Sequence, residues 1–143
     1  MFTQQLMLNG FNSIKYNMTR YEKGKNSLES IQGRSVEEIF KDLEDIAPDL
    51  SRFVVEFPYS EIYTREEVDL KTRELCTVAA LTVLGTVPQL KDHINAALNV
   101  GNSPAEIVEI IMQMSAYCGF PKSINGIMAA KEVFVEKDLL PLK

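Results

Sequence analysis

Between Leu70 and Pro121 the chain passes through three segments of helical periodicity separated by little more than single glycines. Nothing in the stretch reads as strand. Asp69 can cap the first segment, whose centre (Leu75, Val78, Ala79, Ala80, Leu81, Val83, Leu84) is apolar nearly all the way round, a pattern that predicts a central helix. After Gly85, Pro88 suits a first helical turn and Gly101 a stop, bracketing Leu90, Ile94, Ala97 and Leu98. Ser103, Pro104 and Glu106 then combine a cap, a first-turn proline and a capping box ahead of Ile107, Val108, Ile110, Ile111 and Met114.

The flanks continue the pattern. Tyr117 to Pro121 reads as a turn before a last helix marked by Ile124, Ile127, Met128, Val133 and Phe134. Upstream, Thr19 can cap a helix that ends at Gly33, and Ser35 with Glu38 forms a capping box for a short amphipathic helix that Pro48 interrupts. Leu50, Phe53, Val54 and Phe57 resume the period until Pro58, which lacks an amide donor and predicts a kink or break. Tyr59, Glu61 and Tyr63 beyond it then need not share a face. Residues 1–18 read as an N-terminal extension with Met18 as an alternative start, and residues 19–143 as a single all-α domain of six or seven helices.

The 143 residues, 45% of them hydrophobic, suffice for one domain with a core. A net charge of -5 argues against nucleic acid and against an anionic membrane as partners, since both require clustered Lys and Arg. The expected partners are a small molecule and further copies of the chain. Cys76 and Cys118 stand far apart, without a CxxC, and read as buried free thiols in a reducing cytoplasm. No metal site is signalled, and the start of the chain lacks an apolar run long enough for a signal peptide or membrane span.

Glu74 shares a helix face with Leu70, Val78 and Leu81, so its carboxylate is expected to be partly desolvated. Desolvation favours the protonated form of a carboxylate, which suits general acid or base work. The alternative is that Glu74 only stabilises the start of its helix. His93, the one histidine, falls on the stripe of Leu90, Ile94 and Ala97 and is either a proton-handling group, as imidazoles commonly are, or a satisfied core residue. Tyr59, Glu61, Tyr63 and Tyr117 stand near a proline or glycine break, where a side chain can be aimed into a cleft, although core packing with a satisfied hydroxyl is the commoner fate of such tyrosines. Lys91, Asp92 and Asn95 read as solvated surface, and Gly119 and Gly126 make no phosphate loop.

DLKTREL from Asp69, HINAALNVG from His93, SPAEIVEII from Ser103 and YCGFP from Tyr117 together resemble the carboxymuconolactone decarboxylase family. RYEKG from Arg20 and EFPYSEIY from Glu56 are compatible with it. The resemblance implies an alkylhydroperoxidase D-like all-α fold that builds trimers or hexamers, with the site near subunit contacts. In peroxidase relatives a Glu is followed at fixed spacing by a CxxC and a His. Those positions match Glu74 and His93 here, but the thiols fall on Thr86 and Gln89, so the disulfide cycle lacks its nucleophile. The decarboxylase branch, which works on a muconolactone without a cofactor, then implies Glu74 and His93 as the proton-handling pair and Arg73 or Lys122 as anchors for a substrate carboxylate. Members of that branch tend to carry Trp where this chain reads Tyr59 to Tyr63, and this chain has none, which predicts a differently shaped pocket. The rival expectations are a peroxidase-type redox protein using Cys76 or Cys118 and a non-catalytic oligomeric binding protein.

Overall fold

A computed structural model describes residues 17–142, which carry seven α-helices and no strand. The extension expected at residues 1–18 lies outside the described residues except for Asn17 and Met18. Helix α1 (Arg20–Gln32) starts at a capping box between Thr19 and Glu22 and ends at Gly33, whose φ of 70° is a left-handed conformation that glycine adopts without strain. Helix α2 (Val36–Phe40) is shorter than its apolar spacing suggests. Ser35 accepts from the Glu38 amide, the return half of the expected box is not formed, and the chain tightens into a 3-10 turn at Lys41–Leu43.

Pro48 opens helix α3 (Pro48–Val54) as a first-turn proline. The break expected at Pro58 does not occur. The helix widens into a π-helical segment, Val55–Ile62, closed by a 2.9 Å bond from the Tyr63 amide to the Pro58 carbonyl. Widening gives the proline ring room that an α-turn denies it, because in an α-helix the ring meets the carbonyl four residues back. Tyr59 and Tyr63 therefore do share a face, stacked with ring centroids 4.9 Å apart, while Glu61 points outward to Arg20.

Helices α4 (Leu70–Leu84) and α5 (Val87–Asn99) form a hairpin about Gly85, followed by α6 (Pro104–Cys118) and α7 (Phe120–Glu136). The Asp69 cap and the complete Ser103–Glu106 capping box are both present. Helix α4 is not enclosed as its composition predicts: Glu74, Val78 and Thr82 are buried, whereas Cys76, Ala80 and Leu84 face outward. Cys76 is thus an exposed thiol, and Cys118, half-buried, donates to the Met114 carbonyl. One core joins α4 to α7 through Val78, Leu90, Ile94, Ile107, Ile111 and Phe134. A second packs α1, α2 and the π-helical segment onto Ala96 of α5 through Leu28, Ile31, Val36, Val55 and Tyr59. Among the described residues no helix is long and apolar enough to cross a membrane.

Candidate active site

Glu74 lies on α4 before the Gly85 turn and His93 on α5 after it, and antiparallel packing of the α4–α5 hairpin brings the two side chains together. The sequence suggests a shared cavity; the structure gives direct contact, with His93 Nδ1 2.8 Å from Glu74 Oε2. Glu74 is completely buried and the His93 side chain is 18% exposed. Glu74 Oε1 is buried with no hydrogen-bond partner among the described residues. With Nδ1 engaged, Nε2 is the ring nitrogen left to meet a bound molecule.

A cavity of about 320 Å³ opens beside His93, at the seam between the two cores. Its apolar wall comes from Leu28, Ile39, Phe40, Val54 and Pro58, and its polar groups are Gln32, Tyr59, Tyr63, Thr77, Gln89, Asp92 and His93. No Lys or Arg lines it among the described residues. Thr77 donates to the Arg73 carbonyl at 3.0 Å, so the Tyr63 hydroxyl, 2.8 Å from Thr77 Oγ1, is the donor to it. Burial pushes the Tyr59 hydroxyl up to about 12, with the Glu74 charge adding and the nearby Gln32 side chain opposing. Tyr63 is raised by burial first and then by the Glu74 charge. Both phenols are therefore held as neutral hydrogen-bonding groups over any ordinary working pH. A more open depression of about 420 Å³ between Ser103–Ala105 and Asp138–Leu142 is lined by none of the candidate site residues.

Of the residues singled out from sequence, His93, Tyr59 and Tyr63 line this cavity, and Glu74, fully buried, reaches it only through its contact with His93. The other four do not line it within one chain. Glu61 is ion-paired with Arg20 at 2.9 Å, and Tyr117 is 75% exposed near the α6–α7 junction. The Arg73 guanidinium donates to the Val68 and Arg65 carbonyls, and Lys122 Nζ donates to the Val83 carbonyl. Gln89, at a position where the peroxidase relatives carry a thiol, lines the cavity; Thr86 is exposed in the hairpin turn.

Sequence reasoning missed Asp92 and Gln32. Asp92, read as solvated, lines the cavity and pairs with Arg34 at 2.7 Å. Its neighbours are engaged too: Lys91 pairs with Glu132, and Asn95 donates to the Gln32 carbonyl. Gln32 carried no signal beyond its place next to a helix-stopping glycine. Among the described residues no group of three or more His, Cys, Asp or Glu stands where it could hold a metal ion.

Residues 48–132, which include the π-helical segment, the whole α4–α5 hairpin and most of α7, match the carboxymuconolactone decarboxylase family. The chain is 31% identical over 125 residues to a 4-carboxymuconolactone decarboxylase from Acinetobacter baylyi, covering 87% of this chain and 93% of that one. It is 35% identical over 98 residues to an uncharacterised 15.0 kDa protein of Paracoccus denitrificans, covering 67% and 73%. A nitrosuccinic acid decarboxylase of Metarhizium robertsii is 25% identical over 79 residues, 55% of each chain.

Proposed function

Because the chain belongs to the carboxymuconolactone decarboxylase family, we propose that it decarboxylates a small carboxylated lactone or related acid without a cofactor, with His93 and Glu74 managing the proton. The observation that carries this is the 2.8 Å contact between a fully buried carboxylate and an imidazole at the wall of a largely apolar cavity. Two relatives named as decarboxylases support it.

In this reading the C–COO⁻ bond breaks, CO₂ leaves, and the electron pair stays on carbon, delocalised into the adjacent carbonyl. His93 Nε2–H then delivers the proton that replaces the carboxyl group, and the ring regains a proton from solvent. Glu74 holds Nδ1–H, fixes the ring orientation and stabilises the imidazolium form. A cavity wall without Lys or Arg among the described residues suits a group that must leave uncharged. A guanidinium clamp would stabilise the starting acid more than the transition state in which its charge is leaving.

The test is CO₂ release from a panel of five-membered lactone acids and related unsaturated acids by the purified protein. Turnover of at least one member is expected; no release from any of them contradicts the reading. The Cys76→Ser/Cys118→Ser double variant is expected to keep that turnover and to show no peroxide reduction lost relative to the parent. A thiol-dependent peroxidase activity abolished by it replaces this reading with the redox one.

The same reading includes a cytoplasmic homo-oligomer, trimer or hexamer. Leu84, Tyr117, Phe120 and Ile124 are all more than half exposed, and Lys122 ties the start of α7 to the end of α4 in their midst. Apolar side chains gathered in this way suit burial against another copy. Sedimentation at micromolar concentration is expected to show the oligomer, and a stable monomer contradicts it.

A further inference from the structure

Gln32 is the last residue of α1, and its position is fixed from behind. Its backbone carbonyl accepts from Asn99 Nδ2 at 3.0 Å and from Asn95 Nδ2 at 3.4 Å, both on α5. These two amides satisfy carbonyls that a helix end leaves open, so the C-terminus of α1 is pinned to the hairpin and its side chain is turned to the cavity. Gln32 is only 4% exposed, yet its Oε1 has no hydrogen-bond partner among the described residues. A buried amide oxygen without a donor is destabilising, and native structures retain such atoms where something else supplies the donor.

The surroundings narrow what that donor is. The Tyr59 hydroxyl lies in the same wall beside Gln32. The charge of Asp92, a further lining residue, is already met by Arg34, and no Lys or Arg lines the cavity among the described residues to hold an anion. This end of the cavity therefore suits an uncharged group that donates to Gln32 Oε1 and can accept from the Tyr59 hydroxyl, as a hydroxyl or enol does.

We propose that Gln32 is a specificity-determining residue: it selects small acids that bear an uncharged hydroxyl or enol donor, which it accepts through Oε1. This rests on the cavity being the substrate site of the function proposed above and narrows the class of acid that enters it. The discrimination comes from cost, because an analogue without the donor leaves Oε1 buried and unpaired.

Binding of benzoate and of 2-, 3- and 4-hydroxybenzoate tests this by calorimetry, the three isomers sampling where the hydroxyl falls. At least one isomer is expected to bind about tenfold tighter than benzoate. Gln32→Met, which removes the carbonyl, and Gln32→Asn, which withdraws it, are each expected to erase that preference, so that the favoured isomer binds no tighter than benzoate. Gln32→Met is also expected to resist urea at least as well as the parent, since it removes an unpaired buried oxygen; its failure to fold counts against the inference. A hydroxyl preference that survives both substitutions overturns it, as does a parent that prefers none of the isomers or binds none of the four acids. Since the readout is binding, a Gln32-dependent preference in a protein that releases no CO₂ contradicts the decarboxylase reading alone. CO₂ release without such a preference contradicts this inference alone.

Discussion

His93→Gln is expected to lower turnover about a hundredfold or more while the protein stays folded. Glutamine keeps a donor within reach of Glu74 Oε2 but cannot accept and release a proton at the working pH. His93→Ala is expected to lose activity to the same extent and to cost about 3 kcal/mol of stability besides, because it leaves the fully buried Glu74 without its partner. Glu74→Gln should lower turnover comparably with a smaller stability loss, since the amide carries no charge to strand. Removing both partners should then cost less stability than His93→Ala alone. This non-additivity is the signature of a coupled pair and is read from urea unfolding of the three variants.

Gly24→Ala is expected to destabilise the protein by about 3 kcal/mol or more. Intrinsic propensity predicts the opposite, a gain of about 1 kcal/mol for replacing a mid-helix glycine by alanine. The structure reverses the sign because Gly24 is where α1 lies against the π-helical segment. A Cβ there would collide with the Val55 carbonyl oxygen and stand 2.8 Å from its carbonyl carbon. Backbone on both sides of the contact cannot rotate away, so α1 must shift outward, taking Leu28 and Gln32 with it and opening the cavity wall. Urea unfolding checks the sign, and a variant more stable than the parent contradicts the α1 packing described here.

These two positions differ in how far the sequence discloses them. Caps and stops at Thr19, Asp69, Ser103, Gly33 and Gly85 are local devices, decided within a few residues, and the chain adopts each of them. Glu74 and His93 were legible because a turn at Gly85 folds two helices into a hairpin, which fixes what stands opposite what. Pro58 was misleading: whether a proline breaks a helix or widens it depends on what packs around it, and here α1 holds the widened segment in place. The apolar girth of α4 suggested enclosure, but within one chain only a single face is covered. Asp92 looked like an ordinary surface residue, Gln32 carried no signal of a role, and Arg73 and Lys122 looked like available cations. Arg73 is taken up by carbonyls of the segment just before α4, while the placement of Gln32, Asp92 and Lys122 follows from how α1 and α7 dock on the hairpin, which no local pattern encodes. Family resemblance supplied the fold, while the composition of the cavity wall became readable only in three dimensions.

In the proposed reaction His93 delivers a proton to the carbon that loses its carboxyl group. The direct measurement is decarboxylation in D₂O of an acid that the protein turns over, followed by NMR of the product, for the parent and for His93→Gln. The parent is expected to place one deuteron at the former carboxyl-bearing carbon on a single face. The variant is expected to release CO₂ about a hundredfold more slowly and to lose that facial preference, as solvent supplies the proton instead. Parent-like rate and facial selectivity in the folded His93→Gln protein would contradict the account.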